Sequence, residues 1–241
     1  MGKHDLHDAS MAGNLEMVKK ILASSPGKIN DRGPKNRTPL HCAAKGNNTA
    51  VASYLISCDA DTEARTAYKM TPLHVAAFYG STDVARLLLE TVKDLAIDAL
   101  DFGSWTALHY ACNYDRGDTA AILIDHGASL SKRSAELQLV AMHLAARSGN
   151  LRTVERLVKN GCNVNQRNIF YITPLHLACQ NDHLEVVRFL IAAGAVPDAP
   201  DEAGITPAQL TKRDDIAMEL EKAIANFAEK QWRRPPPPPA A

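Results

Sequence analysis

Histidine is the residue of this chain whose type and spacing could most readily carry out chemistry. The sequence has nine histidines, and five of them recur at intervals of 33, 35, 34 and 33 residues (74−41, 109−74, 143−109 and 176−143). Those five are His41, His74, His109, His143 and His176. Histidine is a common zinc ligand and a general acid or base near neutral pH. The regular spacing therefore raises two hypotheses, a metal site and a catalytic site.

The surroundings of these histidines argue against both hypotheses. Each one stands fourth in a copy of Thr-Pro-Leu-His or of a variant of it. Stacked copies would hold equivalent atoms about 10 Å apart, whereas zinc needs its ligands about 2 Å from one centre. The chain also contains no glycine-rich phosphate loop, Gly-x-Ser-x-Gly elbow, Cys-x-x-Cys pair or His-Glu-x-x-His helix. We therefore predict no catalytic residue, no metal ligand, no cofactor and no enzymatic activity.

The four-residue motif is typical of the beginning of a helix. Copies begin at Thr38, Thr71, Thr106, Val140, Thr173 and Thr206. Threonine is a good N-cap, and proline fits the first helical position because the N–H it lacks would have no helical partner there. The histidine at the third helical position can bond back to the cap or across to the next repeat. Gly, Asn or Asp, nine positions after the motif begins, predicts the end of the helix.

A motif of several residues that returns every 33 to 35 residues marks a stacked array of repeats. Its residues and spacing resemble those of the ankyrin repeat family over nearly the whole chain. The resemblance implies an all-α solenoid of about seven helix-turn-helix repeats with short β-hairpin fingers between them. It also implies a function in binding other proteins.

The repeat period predicts the organisation of the chain. Residues 1–232 are the expected ankyrin repeat domain, and residues 233–241 are a proline-rich tail. The expected repeats are 1–33 (an N-terminal capping repeat), 34–66, 67–101, 102–135, 136–168, 169–201 and 202–232 (a C-terminal capping repeat). The second helix of the last repeat is expected to be shortened.

The fingers are the segments that precede each motif. The family usually has glycine two positions before the threonine, where it permits a tight turn, and only Gly204 preserves it here. The other fingers are therefore expected to be less regular.

Aromatic residues concentrate where the resemblance places the concave face, in the fingers and at the end of each first helix. Seven of the chain's 13 aromatic residues (2 Trp, 6 Tyr and 5 Phe) fall at the twenty such positions of repeats three to six. A contiguous exposed apolar patch usually marks an interface. The predicted partner-binding residues are Tyr68, Met70, Phe78, Tyr79, Phe102, Trp105, Tyr114, Leu137, Leu139, Phe170 and Ile172, with Lys35 and Arg37 adding positive charge. The alternative is that adjacent fingers bury these side chains against each other.

The tail suggests a second kind of partner. Arg233, Pro236 and Pro239 fit the pattern Arg-x-x-Pro-x-x-Pro, which docks into the aromatic groove of polyproline-binding domains. An adaptor that recruits such a domain is one alternative function, and a solvated tail without a partner is the simpler interpretation.

A narrower alternative lies within the family. Ala141-Met142-His143, His176-Leu177-Ala178-Cys179 and Gln209 resemble the corresponding segments of gankyrin-like proteasome-assembly chaperones. That resemblance implies a proteasomal ATPase subunit as partner. The apolar fingers and the two extra residues in repeat three do not match it.

Composition limits the remaining partners and the location. Lys plus Arg and Asp plus Glu number 27 each, so bulk charge does not favour nucleic acid or an anionic membrane. No apolar run of about 18 residues predicts a membrane span, and residues 1–5 lack a signal-peptide core. Three of the five cysteines fall at helical positions expected in the core. We therefore expect a monomer in a reducing compartment, the cytoplasm or alternatively the nucleus.

Overall fold

The computed structural model describes residues 6–232, with side chains through residue 227. Within that range the chain is all-α and forms 14 helices and no strand. The helices are α1 (Leu6–Met11), α2 (Leu15–Ser24), α3 (Pro39–Lys45), α4 (Thr49–Ser57), α5 (Pro72–Tyr79), α6 (Thr82–Thr91), α7 (Ala107–Asn113), α8 (Gly117–Asp125), α9 (Ala141–Ser148), α10 (Leu151–Lys159), α11 (Pro174–Gln180), α12 (Leu184–Ala192), α13 (Pro207–Leu210) and α14 (Asp214–Trp232). None of them has the length and apolar character that crossing a membrane requires.

The chain divides into two compact units, Met1–Ala141 and Met142–Ala241. In the first unit, the helices α1, α3, α5 and α7 pack in a row, and α2, α4, α6 and α8 form a second row. In the second unit, α11 packs against α13, and α12 packs against both α10 and α14. The motif leucines Leu40, Leu73, Leu108 and Leu175 are fully buried or nearly so, and they form part of the apolar core of their unit.

Four of the first helices begin as the motif predicts. In α3, α5, α7 and α11 the threonine before the helix accepts a hydrogen bond from the main-chain N–H of the motif histidine. The histidine ring in turn bonds the main-chain N–H of the threonine, which completes a capping box. The predicted helix ends are also confirmed. Positive φ angles occur at Asn47 (53°), Gly80 (75°), Asp115 (55°), Gly149 (77°) and Asp182 (56°).

The motif histidines also connect each repeat to the next finger. Nδ1 of His41 accepts the N–H of Thr38 at 3.1 Å, so the neutral ring carries its proton on Nε2. That Nε2 donates to the main-chain carbonyl of Met70 at 3.0 Å. Equivalent bonds join His74 to Trp105, His109 to Leu139, His143 to Ile172 and His176 to Ile205, at 3.0 to 3.3 Å. We call this set the histidine bridges.

Burial keeps several of these rings neutral. It lowers the pKa of His41 from 6.5 to about 4 and also lowers the pKa of His74, of His109 and of His176. A proton on Nδ1 would abolish the bond from the threonine N–H. The bridges therefore require the neutral imidazole, a structural role that explains the regular spacing of these histidines.

The fingers are tight turns rather than hairpins with strands. Fingers 33–37, 66–70, 101–105, 168–172 and 201–205 are each closed by a hydrogen bond from the N–H of the first residue to the carbonyl of the last. The residues two before each motif all have φ between 53° and 81°; they are Asn36, Lys69, Ser104, Gln138, Tyr171 and Gly204. The expectation that fingers without glycine at this position would be less regular is therefore wrong for four of them, 33–37, 66–70, 101–105 and 168–172. Their side-chain-bearing residues adopt the left-handed conformation that glycine adopts more readily, at a cost of about 1–2 kcal/mol each.

Replacing Ser104 by glycine should relieve that strain. We expect Ser104→Gly to raise the free energy of unfolding by about 1 kcal/mol, because glycine tolerates positive φ but loses more chain entropy on folding. Ser104→Ala is the matched control, since it removes the hydroxyl and retains the strain. Urea unfolding of both variants measures the difference, and equal stability of the two would contradict the strain argument.

The last repeat departs from expectation in its second helix. The first helix, α13, has 4 residues, whereas the second, α14, has 19, so the prediction of a shortened second helix is wrong. Asp182 Oδ1 accepts bonds from the Thr211 hydroxyl at 2.6 Å and from the Lys212 N–H at 3.1 Å, immediately after α13 ends. No glycine or proline interrupts residues 214–232, so α14 continues.

Candidate protein-binding basin

Nine of the predicted binding residues line one depression in the first unit. Its volume is about 570 Å³, within the range of ligand-binding clefts. The lining residues are Lys35, Arg37, Tyr68, Met70, Phe78, Tyr79, Asp101, Phe102, Gly103, Trp105, Tyr110 and Tyr114. We call this depression the aromatic basin.

Two fingers and two helix ends position the aromatic side chains of the basin. Fingers 66–70 and 101–105 carry Tyr68, Phe102 and Trp105, and the ends of α5 and α7 carry Phe78, Tyr79 and Tyr114. Adjacent fingers are joined by main-chain bonds, from Ala67 N–H to Lys35 O at 2.9 Å and from Phe102 N–H to Tyr68 O at 3.1 Å. The basin is therefore built on fixed main chain.

An arginine reinforces this junction. The guanidinium of Arg65 donates to the Lys69 carbonyl at 3.0 Å, in the finger that follows it, and to the Leu100 carbonyl at 2.9 Å, just before the next finger. Arg32 makes the equivalent pair of bonds one repeat earlier, to the carbonyls of Asn36 and Arg65. These bonds hold successive fingers in register below the aromatic rings.

The floor of the basin consists of aromatic rings that pack on each other. Phe78 lies 4.4 Å from Tyr114 and 5.7 Å from Tyr110, and Tyr110 lies 5.1 Å from Trp105, measured between ring centroids. Phe78, Trp105 and Tyr110 are half-buried by these contacts. The alternative that the predicted binding side chains bury each other is therefore partly correct for the rings of the floor.

The rim of the basin differs from its floor. Phe102 is 72% exposed and Tyr68 is 53% exposed, and Tyr79 and Tyr114 are also exposed. Single exposed apolar side chains are common, but a contiguous exposed apolar patch usually marks a binding surface. The rim rings are thus available to a partner, while the floor rings support them.

Sequence reasoning missed Asp101 and Tyr110. Asp101 Oδ1 accepts the N–H groups of Gly103 and Trp105, both at 2.8 Å, and its Oδ2 accepts the Tyr110 hydroxyl at 2.6 Å. Burial and this hydrogen bond to Asp101 raise the pKa of Tyr110 above its ordinary value. The pair fixes the finger that carries Trp105.

One signal in the sequence could have identified Tyr110. It stands four positions after Thr106, where the other repeats have smaller residues. Those residues are Cys42, Val75, Leu144 and Leu177. A larger, polar-tipped ring at a repeated core position indicates a local function.

Lysines lie against the exposed rings. The Nζ atoms of Lys35, Lys45 and Lys69 are 5.7, 5.4 and 5.2 Å from the ring centroids of Tyr68, Tyr79 and Phe102 respectively. Among residues 6–227, none of these lysines forms an ion pair with a carboxylate. The rim therefore combines apolar surface with positive charge that is not neutralised by ion pairing.

The remaining predicted site residues do not line the basin. Leu137 is exposed outside it, and Phe170 (exposed) and Ile172 (half-buried) belong to the second unit. Leu139 is only 5% exposed, so its expected exposure is wrong. Its finger, 134–139, has one residue more than the others, and Ser134 bonds both the N–H and the carbonyl of Leu139. This longer turn keeps the side chain of Leu139 in the interior.

Two further expectations concern chemistry and the tail. Within residues 6–227, no group of three or more His, Cys, Asp or Glu side chains is arranged to hold a metal ion. Arg233, Pro236 and Pro239 lie outside the described residues, so the tail motif stays a prediction.

Comparison with known proteins places the repeats in a family. The family model for ankyrin repeats (three copies) matches residues 6–101, 67–134, 89–168 and 142–211. Transient receptor potential cation channel subfamily A member 1 of Homo sapiens is 30% identical over 202 residues, 80% of this chain and 18% of the channel. Protein phosphatase 1 regulatory subunit 27 of Homo sapiens is 42% identical over 76 residues, 32% of this chain and 49% of that protein. The chain thus covers less than half the length of both relatives.

Solved structures agree on the fold. The ankyrin repeat domain of Bcl-3, described as a unique member of the IkappaB protein family, aligns with a TM-score of 0.77 and 24% identity, covering 92% of this chain and 99% of that one. The ankyrin repeat domain of human ASB11 aligns with a TM-score of 0.81 and 22% identity, covering 92% and 98%. With the family model matched from residue 6 to residue 211, this chain belongs to the ankyrin repeat family.

Proposed function

We propose that this chain is a non-enzymatic protein-binding module that holds a segment of a partner protein in the aromatic basin. Ankyrin repeat domains are in general interaction scaffolds without enzymatic activity. The single observation that carries the proposal is the set of exposed rings above a packed aromatic floor. A row of exposed rings on fixed main chain has no evident role in the stability of the array.

The energetics of such a basin favour binding. Tyrosine and tryptophan dominate interface energies, because they bury large surfaces and lose few rotatable bonds. The main-chain bonds between fingers fix the rings before a partner arrives, which lowers the entropy cost of association. Phe102, at 72% exposure, has the most apolar surface to gain from being covered.

The proposal extends along the chain in a weaker form. Phe170 and Ile172 occupy finger positions equivalent to Tyr68 and Trp105 in the motif register, so the proposed binding residues continue into the second unit. The division into seven repeats at residues 1–232 and a separate tail at 233–241 is part of the same proposal. The helix pairs α1/α2 to α13/α14 support it.

The central prediction concerns Trp105. We expect Trp105→Ala to weaken partner binding by more than about 1 kcal/mol, which is about fivefold in Kd, because the ring forms part of the basin floor. A phage-displayed library of random 12-residue peptides, selected on the wild-type protein, provides ligands. Each selected clone is then titrated against Trp105→Ala, whose helical content is checked by circular dichroism.

The matched control is Met218→Ala, which removes an exposed apolar side chain (54%) from α14 in the second unit. Clones that lose affinity for Trp105→Ala and keep it for Met218→Ala support the basin. Equal binding of every selected clone to wild type and to folded Trp105→Ala would remove the proposal.

Two alternatives have tests of their own. Deletion of residues 235–241 should abolish recruitment of a polyproline-binding domain if the tail is an adaptor motif, and it should leave basin binding unchanged. A pull-down with the carboxy-terminal domain of a proteasomal ATPase subunit tests the gankyrin-like alternative, for which the comparisons above add no support.

A further inference from the structure

We infer that the segment held in the aromatic basin is acidic, with Asp or Glu side chains flanking an aromatic or aliphatic anchor. This inference rests on the proposed function and specifies the chemistry of the partner. The basin's apolar surface could accept an anchor of many sequences. The charges around it decide which flanking residues are favoured.

Among the described residues, Asp101 is the only carboxylate that lines the basin, and it already accepts hydrogen bonds from the protein. Both oxygens of Asp101 accept hydrogen bonds, Oδ1 from two main-chain N–H groups and Oδ2 from the Tyr110 hydroxyl. A ligand cation would have to compete with these three donors. Asp101 is therefore a structural support of the finger and a poor receptor for a basic side chain.

The positively charged side chains of the rim differ from Asp101 in this respect. Lys35 and Arg37 line the basin, and Lys45 and Lys69 lie against its rim rings. Within residues 6–227, no carboxylate forms an ion pair with any of the four. Ligand carboxylates that reach them would gain charge-assisted hydrogen bonds at the edge of an apolar surface, where such bonds are stronger than in bulk water.

An aromatic cage for a quaternary ammonium or methylated lysine is the competing chemistry. Such cages place a cation over open ring faces. Here the chain's own ammonium groups already lie over Tyr68, Tyr79 and Phe102, at 5.2 to 5.7 Å from the ring centroids. A ligand cation would be repelled by those ammonium groups, so the same rings favour an acidic ligand instead.

The test examines peptides whose binding depends on Trp105. From the random 12-residue library selected on wild-type protein, clones that lose affinity for Trp105→Ala are sequenced. The peptide of the most frequent clone is synthesised in two forms, one unchanged and one in which Asp and Glu are replaced by Asn and Gln. We expect these clones to be net acidic, and we expect neutralisation to weaken binding at least tenfold. Affinity should also fall as NaCl rises from 50 to 500 mM, because salt screens exposed charge pairs.

A variant pair locates the charge effect in the basin. The double variant Lys35→Glu/Arg37→Glu should bind the acidic peptide at least tenfold more weakly than the wild type. Lys28 is exposed and does not line the basin, so Lys28→Glu should leave the affinity unchanged. Trp105-dependent clones that are neutral or basic would overturn this inference while leaving the proposed function intact. Absence of any Trp105-dependent clone would overturn both.

Discussion

His41→Ala is expected to lower the free energy of unfolding by about 3 kcal/mol, one of the two largest effects considered for this chain. The side chain of His41 is fully buried and makes two structural bonds. Nδ1 accepts the Thr38 N–H at 3.1 Å, and Nε2 donates to the Met70 carbonyl at 3.0 Å. Alanine removes both bonds, leaves the Thr38 N–H without its acceptor and opens a cavity where the ring was. Urea unfolding followed by circular dichroism measures the loss.

Glutamine at the same position separates the two bonds. Gln209 shows that a glutamine can form the cap, since its Oε1 accepts the Thr206 N–H at 2.8 Å. It has no ring nitrogen to reach the following finger, so we expect His41→Gln to cost about half as much as alanine. Equal costs for the two variants would mean that the bond to the Met70 carbonyl contributes nothing.

Acid should destabilise the array well above the pH at which carboxylates titrate. The folded-state pKa of His41 is about 4, whereas the unfolded chain has the ordinary value of 6.5. Between these two values the unfolded state binds a proton that the folded state does not, so stability is full above pH 6.5 and falls as the pH decreases toward 4. For His41 alone the loss at pH 5 is about 2 kcal/mol.

The other buried bridge histidines act in the same direction. Burial lowers the pKa of His74, of His109 and of His176, so each of them adds to the loss of stability below pH 6.5. Unfolding free energies measured at pH 7, 6 and 5 test the sum, and His41→Gln should show a smaller slope than the wild type. A stability that is constant from pH 7 to 5 would contradict the neutral-imidazole account of the bridges.

The helix framework could be predicted because its causes are local. The cap threonine, the first-turn proline and the Gly, Asn or Asp that ends the helix all act within one turn of chain. Both the period of the repeats and the structural role of the histidines follow from that local chemistry. The identity of the bridge acceptors, such as the Met70 carbonyl, depends on how the next finger packs, and the motif alone does not give it.

The errors arose in the fingers, where the geometry of the turn and its contacts decide the outcome. Lys69 and Tyr171 adopt positive φ because the bonds that close their turns fix the main chain despite the local strain. Leu139 is buried because one extra residue changes the turn that carries it. The Tyr110–Asp101 bond joins a helix to a finger nine residues away, a pairing that no motif predicts. The first two causes lie in the geometry of a finger, which the helix motif does not describe, and the third joins a finger to a helix.

The most direct test of the central claim locates a bound peptide through the fluorescence of Trp105. The chain has two tryptophans, Trp105 and Trp232, so Trp232→Phe leaves the basin ring as the only indole. A tryptophan-free peptide selected on the wild-type protein is titrated into this variant, while calorimetry measures its binding independently. The account predicts a saturable change in Trp105 emission with the same Kd as the calorimetric titration. Binding seen by calorimetry without any change in Trp105 emission would contradict it.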